Sequence, residues 1–313
     1  MAVIGGVLVV LLALLAPAIQ WRRESQRRAL CSERMGLIGK GLLRYSEANN
    51  GRLPPSANVR PLDGRLCVGG WSLLDRILPY MEYSTLYGGF SPPWPDAACE
   101  GMTEGPPYTE DTVARDTSLS DFICPSCPNG LWQTPEVRRG SVRQGAVTNY
   151  KGIGATHIES LNQCVHVGKP IGGEEFGSPN GVMCPGQGVR FADISKGTSN
   201  TVMCVETIDN KASLWCWGRD ATLVGLSITG DDAALPKMRT YLSFDFDRAD
   251  AGTYPAFCGR QPAYGPSSGH GKVVNHLFAD GSVRFIEKNI DPLVYFTMIT
   301  RDREEAAKAF SEK

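Results

Sequence analysis

The pattern of apolar and polar positions predicts that the chain begins with one long helix. Residues 1–20 carry no charged side chain, and an apolar run of about 18–20 residues can cross a bilayer as a helix. The more polar stretch that follows has apolar residues at helical spacing: Leu30, Met35, Ile38, Leu42, Leu43 and Tyr45. We therefore predict a transmembrane half over residues 1–21 and an amphipathic continuation over residues 22–50, in one helix of roughly 45 residues.

The predicted helix ends at the "NNG" of residues 49–51, since Asn and Gly tolerate the left-handed conformation in which many helices terminate. The prolines at positions 54 and 55 cannot continue a helix. Residues 51–313 are predicted to form the globular domain.

Within that domain, short helical patterns are separated by loops. Residues 71–87 have helical periodicity that is broken at Pro79. Residues 90–118 are rich in Pro, Gly and acidic side chains and are predicted to be a long loop. A last helix is predicted to begin at Asp291-Pro292, because proline suits the first turn of a helix.

Strand patterns predict two hairpins. The β-branched run at residues 200–208 and the alternating run at residues 213–219 flank the turn "DNKA", and we predict that they pair. The second hairpin, "VVNHLFADGSVRFIEKN", has Asp280-Gly281 at its turn, where both residue types accept positive φ. Together these elements predict an α+β fold, with the long helix packed on an antiparallel β-sheet that carries loop insertions.

Composition limits the class of partner. The chain is 42% hydrophobic and 21% charged, with a net charge of −1, as is typical of a globular protein. Because there is no excess of basic residues, nothing predicts a nucleic-acid partner.

Cysteine usage points to an oxidising compartment. Cytosolic proteins rarely keep so many thiols without a metal or redox use, so we expect disulfides. The sequence leaves their connectivity open, including a bond between the arms of the first predicted hairpin. A zinc site at the only C-x-x-C, "CPSC", would need distant partners, and a redox role would need a βαβ context. Free buried thiols are the alternative. Of the ten cysteines, Cys31 lies in the predicted long helix, and the disulfide candidates are Cys67, Cys99, Cys124, Cys127, Cys164, Cys184, Cys204, Cys216 and Cys258.

Two signals conflict on membrane topology. Arg22, Arg23, Arg27 and Arg28 follow the apolar run and would keep the domain in the cytosol, whereas the cysteines argue for the exterior. A cleaved signal peptide is a further alternative, because the segment "APA" at residues 16–18 resembles a cleavage site, but the basic n-region is missing.

Six motifs in order give the chain a resemblance to a known family. They are "LLRYSEANNGRLPPS", "WSLLDRILPYMEYSTLY", "FICPSCP", "TNYKGIGAT", "FADISKGTSNTVMCVE", and His270 followed by nine residues and then Asp280-Gly281. With these motifs, and with an apolar helix ending in "LLAPAIQ", the chain resembles type II secretion pseudopilins and type IV pilin-like proteins. More narrowly, it is similar to the pilin-like family named for its H-x9-DG signature. The fifth motif departs from the family pattern, with Lys196 where Asp is usual.

The resemblance implies a pilin-like fold and a structural, non-enzymatic role. It implies a single-pass anchor in the cytoplasmic membrane, an extracytoplasmic globular domain, and assembly with other pilin-like subunits or with itself, in a filament or secretion-type assembly or for surface display. Such proteins carry a basic leader and G-F-T-L-x-E before the apolar run, which here begins at Met1. We expect either a start further upstream or a loss of leader processing.

Two other functions remain open. An anchored binding module for a polysaccharide or a protein partner is favoured if Trp94, Tyr108 and Trp132 are exposed in loops. A secreted or anchored hydrolase would need carboxylates beside His157 or His166, and no such constellation is evident in the sequence.

Four residues around the H-x9-DG motif are candidates for a metal or catalytic cluster: His270, Asn275, His276 and Asp280. Alternation along a strand places Asn275 and His276 on opposite faces, and turns favour Asp for local hydrogen bonds. A structural hairpin is therefore the preferred interpretation, with a metal site or catalysis as the alternatives.

One further loop offers oxygen ligands. Asp245, Asp247 and Asp250 lie in "SFDFDRADAG", and oxygen-rich loops bind Ca²⁺. A solvated acidic loop without a cofactor is the preferred interpretation, with a calcium site as the alternative.

Overall fold

A computed structural model describes residues 2–62, 65–89, 116–127, 136–138, 141–143, 145–162, 179–208, 213–229, 237–240, 242 and 265–311. Of these, residues 2–18, 60–62, 65–69, 136–138, 141–143, 159, 162, 227–229, 237–239, 310 and 311 are described as backbone. The helices are α1 (Ala2–Ala48), α2 (Leu73–Ile77), α3 (Ser84–Gly88), α4 (Ile158–Asn162), α5 (Pro292–Ile299) and α6 (Arg303–Ser311). The strands are β1 (Asn58–Leu62), β2 (Arg65–Gly69), β3 (Glu136–Arg138), β4 (Ser141–Arg143), β5 (Tyr150–Ala155), β6 (Val202–Glu206), β7 (Thr222–Val224), β8 (Leu226–Thr229), β9 (Lys237–Thr240), β10 (Val273–Phe278) and β11 (Val283–Glu287).

The predicted long helix is confirmed, and so is its end. α1 has 47 residues. It stops where Asn50 and Gly51 adopt φ of 56° and 73°, and the Gly51 amide donates to the Ser46 carbonyl at 2.8 Å. Asn and Gly are the residues that accept this left-handed turn with least strain. Within the described residues, no helix is long and apolar enough to cross a membrane.

The buried stripe of α1 differs from the predicted one at its start, and the predicted residues Leu43 and Tyr45 are only partly buried. Cys31, Met35, Ile38 and Leu42 are fully buried, whereas Leu30 is 38% exposed. The four buried residues follow the three-to-four-residue spacing of a single helix face, and Leu30 lies about 100° around the helix from Cys31. Cys31 is therefore the first core residue of the stripe, where the sequence pattern predicted Leu30.

The main sheet has five strands in the order β11-β10-β6-β5-β7. Three neighbouring pairs are antiparallel: β11 with β10, β10 with β6, and β6 with β5. The fourth pair, β5 with β7, is parallel. The purely antiparallel sheet that we predicted is thus corrected to a mixed sheet. Residue patterns identify strands, whereas the direction in which an edge strand pairs depends on the path of the chain between strands.

The first predicted hairpin is wrong. β6 pairs with β5 and β10, so both of its edges are occupied. Residues 213–219 form turns, and within them Leu214 makes an isolated bridge to Val147. All five residues of β6 are buried, as suits a central strand, and a central strand has no free edge for the segment that follows it.

The second predicted hairpin is confirmed. The Gly281 amide donates to the Phe278 carbonyl at 2.9 Å, and the Phe278 amide donates to Ser282 at the same distance. Gly281 has φ of 84°, and Asp280 is not among the residues with positive φ. This is a turn closed by a left-handed glycine, the three-residue type of hairpin loop. Asp280 Oδ1 accepts from the Ser282 amide at 2.9 Å.

Two buried clusters flank the main sheet. On one side, which we call the α1 face, α1 packs against Tyr150, Met203 and Leu277. On the other side, the α5 face, Tyr295 packs with Val274 and other strand residues. The sheet is therefore the middle layer between two helices.

The helical pattern at residues 71–87 is broken as predicted, since Pro79 lies in a 3₁₀ turn between α2 and α3.

Candidate functional site

Four potential ligands converge on the α1 face near one end of the sheet. They are the thiols of Cys31 and Cys124, the carboxylate of Glu206 and the ring of His270, and one ligand atom of each lies within 4.8 Å of the others. All four residues are buried, with at most 1% of each exposed. The four come from four different parts of the chain, so the cluster exists only in the folded protein.

Cys31 and Glu206 are placed by regular structure. Cys31 lies on the buried stripe of α1, where the Tyr150 hydroxyl is 3.1 Å from its Sγ and donates to its backbone carbonyl at 3.2 Å. Glu206 is the last residue of β6. The side-chain amide of Asn275, on β10, donates to Glu206 Oε2 at 3.1 Å. The hydroxyl of Ser32, on α1, in turn donates to Asn275 Oδ1 at 3.0 Å. The helix and two strands thus hold both groups in fixed positions.

Cys124 and His270 are placed by two loops. The Cys124 amide donates to Asn149 Oδ1 at 2.8 Å, and the His270 amide donates to Ser268 Oγ at 3.0 Å. The loops lie so close together that a Cβ at Gly269 would be 2.2 Å from the Ser126 carbonyl oxygen. A residue without a side chain is therefore required immediately before His270.

His270 is bonded on both sides of its ring. Nδ1 lies 2.7 Å from Glu24 Oε1, while Nε2 lies 3.3 Å from Cys124 Sγ and 3.4 Å from Glu206 Oε1. Glu24 also pairs with Arg27 at 2.7 Å and with Arg28 at 3.5 Å. Because a carboxylate accepts hydrogen bonds, Nδ1 carries the proton that faces Glu24, and Nε2 faces the cluster.

Burial and charge shift the pKa values of these groups. Burial opposes protonation of His270, but bonding to Cys31, the charge of Glu206 and the bond to Glu24 raise its pKa to about 9. Burial acts to raise the pKa of Glu24, yet bonds from His270 and Arg27 lower it to about 2. A hydrogen bond with Cys124 lowers the pKa of the Cys31 thiol, and the same bond, with burial, raises the pKa of Cys124. The site thus favours negative charge on Cys31.

One buried atom of the cluster has no hydrogen bond. Glu206 Oε1 is inaccessible to solvent and finds no donor within the described residues. A buried carboxylate oxygen without a donor is destabilising by about 1–3 kcal/mol or more. Since Asn275 takes the other oxygen, Oε1 faces the cluster.

The structure separates the residues that the sequence grouped around the H-x9-DG motif. Asn275 faces α1 and supports Glu206, whereas His276 faces α5, where its Nε2 lies 2.7 Å from the Tyr295 hydroxyl. Asp280 bonds to Ser282 and Arg284 in the exposed turn. Of the four, only His270 contributes a ligand atom to the cluster.

Sequence reasoning did not single out Cys31, Glu206 or Glu24 as site residues. A signal for Cys31 was available, since it falls on the apolar stripe one turn before Met35. Glu206 is a charged residue that ends a β-branched run, which suggests a buried charge. The residues that lie beside Cys124 come from distant parts of the chain, and the sequence alone could not identify them.

The other cysteines whose side chains the structure describes lie outside the cluster. Cys184 and Cys204 are buried, and burial raises the pKa of each thiol. Cys127 Sγ accepts from Asn149 at 3.2 Å. No two of the cysteines whose side chains the structure describes are joined to each other, and these include Cys204 and Cys216.

Several predicted residues lie outside the described part of the chain. They include the calcium candidates Asp245, Asp247 and Asp250, the side chain of Cys67, and Cys99, Cys164, Cys258, Trp94, Tyr108, Trp132 and His166. His157 is described. It is buried, burial lowers its pKa to about 4, and its Nδ1 lies 2.7 Å from Thr156 Oγ1.

A comparison with protein families shows what the chain is similar to. A family model described as a protein of unknown function (DUF1559) matches residues 20–293. No curated protein and no solved structure matches the chain.

Proposed function

This chain belongs to the DUF1559 family of proteins of unknown function, and we propose that it is a membrane-anchored, pilin-like structural subunit with an extracytoplasmic globular domain. The main support for this proposal is that α1 is much longer than the part of it whose side chains are buried in the domain. α1 has 47 residues, about 70 Å at 1.5 Å per residue. Its fully buried stripe begins only at Cys31.

The exposed part of α1 supports an anchoring or assembly role. Trp21 is 75% exposed and Ile19 is 49% exposed, so these apolar side chains lie on helix that the domain leaves uncovered. The membrane-spanning part of the proposal rests on the sequence, in which residues 1–20 are uncharged and long enough to cross a bilayer. The pilin-like motifs support the same arrangement, with the apolar half of the helix packing between subunits.

Cell fractionation tests the anchor. We expect the full chain in the membrane fraction, and a variant lacking residues 2–18 in the supernatant, because no other stretch of the sequence approaches about 18 uncharged apolar residues. This deletion retains Glu24 and every buried residue of α1 from Cys31 onward. As a matched control, an unrelated transmembrane helix fused to the deletion variant should restore membrane association. A deletion variant that still sediments with membranes would overturn the proposal.

A reporter and a cross-link test the location and the assembly. Alkaline phosphatase fused after Lys313 should be active, because it matures only outside the cytoplasm; an inactive but expressed fusion would reverse the proposed topology. Leu12→Cys should form disulfide-linked copies if apolar helix halves pack together. Glu304→Cys, on the exposed surface of α6, is the control. Equal cross-linking of both variants would argue against a helix-mediated assembly.

A further inference from the structure

We propose that Cys31, Cys124, Glu206 and His270 bind one zinc ion in a closed structural site. This inference does not depend on the pilin-like role, because it rests on the donor set, its geometry and its surroundings.

The donor set suits zinc. Thiolate sulfur, imidazole nitrogen and carboxylate oxygen are its usual protein ligands, and four of them in a tetrahedron make a structural site. Calcium and magnesium select oxygen ligands, so two thiols argue against both. All four positions would be filled by protein atoms, which leaves no open position for catalysis on the metal.

Two of the six distances between ligand atoms match those expected for a tetrahedron. Bonds of about 2.0–2.3 Å from zinc to its ligands place neighbouring ligand atoms about 3.3–3.8 Å apart. His270 Nε2 lies 3.3 Å from Cys124 Sγ and 3.4 Å from Glu206 Oε1. All four ligand atoms fall within 4.8 Å of one another.

The buried Glu206 oxygen points independently to a cation. Glu206 is fully buried, and its Oε1 has no hydrogen-bond donor within the described residues, although Oε2 accepts from both the backbone and the side-chain amide of Asn275. A metal ion in the cluster would complete the coordination of this oxygen.

The surroundings hold the ligands as metal sites require. Ligating histidines commonly donate their second ring nitrogen to a carboxylate, which fixes the tautomer and the ring orientation. Glu24 takes this position beside His270 Nδ1 at 2.7 Å. Tyr150 lies beside Cys31 Sγ, and Asn149 holds the backbone of Cys124. Arg27 and Arg28 pair with Glu24 and reduce the net negative charge around the site.

The site would join four segments that are distant in sequence. Zinc would tie α1 to the end of β6, to the loop of the "CPSC" motif and to the loop that carries the histidine of the H-x9-DG motif. The fixed offset between His270 and the Asp280-Gly281 turn is then set by β10, which links a metal ligand to the hairpin that closes the sheet.

Elemental analysis of the full chain tests the proposal. The protein is purified in detergent without chelators, and zinc is measured against protein concentration, with an expected ratio of about one per chain. X-ray absorption at the zinc edge should show two sulfur scatterers at about 2.3 Å and two lighter ligands. Cobalt substituted for zinc should give thiolate charge-transfer bands and the visible bands of tetrahedral coordination.

Matched variants locate the ion. Cys124→Ser should lose the zinc, while Cys127→Ser, three residues away and outside the cluster, should retain it. The measurements on the unmodified chain decide the matter if Cys124→Ser fails to fold. Two results would overturn the proposal: a chain that contains no zinc after refolding with zinc, or mass spectra of peptides in which Cys31 and Cys124 are joined as a disulfide.

Discussion

The two faces of the main sheet each bury a histidine from the same short segment, and the two histidines differ in what the protein provides for them. On the α5 face, the Nδ1–H of His276 donates to the Val274 carbonyl at 3.0 Å, and its Nε2 accepts from the Tyr295 hydroxyl at 2.7 Å. Both ring nitrogens are satisfied by neutral groups, and burial lowers the pKa to about 4. This is a complete, uncharged arrangement that needs nothing else.

On the α1 face, His270 is surrounded by groups that carry or can acquire negative charge. Its partners are Glu24, Glu206 and two thiols, and one carboxylate oxygen beside it lacks a donor. Burial alone therefore does not distinguish a structural histidine from a ligand. The distinction lies in whether the neighbouring donors and acceptors balance.

Of the changes considered, removal of the metal from the α1 face should reduce the free energy of unfolding most. A ligand present at about a thousand times its dissociation constant stabilises the folded state by about 4 kcal/mol, so a strong zinc chelator should lower the free energy of unfolding by about that amount. Urea unfolding followed by tryptophan fluorescence measures the change. Cys124→Ser, already without zinc, should not respond to the chelator. An equal response of this variant would mean that the chelator acts elsewhere.

Acid should weaken the α5 face. The pKa of His276 falls from 6.5 to about 4 on folding because the ring is buried. Between these two pH values, the unfolded state therefore binds a proton at His276 and the folded state does not. Its contribution to stability is complete above pH 6.5, decreases as the pH falls from 6.5 to about 4, and amounts to about 3 kcal/mol. Burial lowers the pKa of His157 as well.

Urea unfolding between pH 7.5 and 4 checks this slope. His276→Gln should lose stability less steeply than the unmodified chain over that range, because it has one titrating group fewer. If both chains lose stability equally, His276 does not titrate as its burial indicates.

Gly281→Val should separate stability from metal content on the α1 face. Gly281 has φ of 84°, and a Cβ there would lie 3.0 Å from Leu43 Cδ1. We expect a loss of about 1–3 kcal/mol from backbone strain, with unchanged zinc per folded chain. Thermal unfolding and elemental analysis measure the two quantities. Ser282→Ala, at the neighbouring turn position, is the control for changes that leave the left-handed residue intact.

The smallest predicted effect is that of Tyr295→Phe. Removing the hydroxyl leaves His276 Nε2 without its donor, which should reduce stability by about 1–2 kcal/mol. Zinc content should stay the same, since Tyr295 lies on the opposite face of the sheet from the cluster. Loss of zinc in this variant would show that the two faces are not independent.

Local patterns allowed much of the fold to be predicted. The long helix, its end at Asn50 and Gly51, the break at Pro79 and the turn at Asp280-Gly281 were all predictable, because each depends on residues within one or two turns of chain. The stripe of α1 was predicted to within one residue at its start, where Cys31 is buried in place of Leu30. A cysteine can behave as a small apolar residue in a core, a property that an apolar count alone does not capture.

Long-range pairing was decided by tertiary structure. The sequence showed that residues 200–208 form a strand, but an adjacent segment was the wrong partner, because both edges of β6 are filled by β5 and β10. The parallel pairing of β7 with β5 has no local signal either. Strand partners are selected by how much apolar surface the whole sheet buries, which no short window contains.

The candidate site shows the same division most clearly. The sequence by itself determined that His270 stands at a fixed distance from a hairpin turn, that Cys124 is in a loop and that Cys31 is on a helix. Only the packing of α1 on the sheet brought these residues together with Glu206. The physical reason is that each residue's local conformation depends on its neighbours in sequence, whereas a ligand set depends on where separate segments meet, and that is decided by the burial of the whole core.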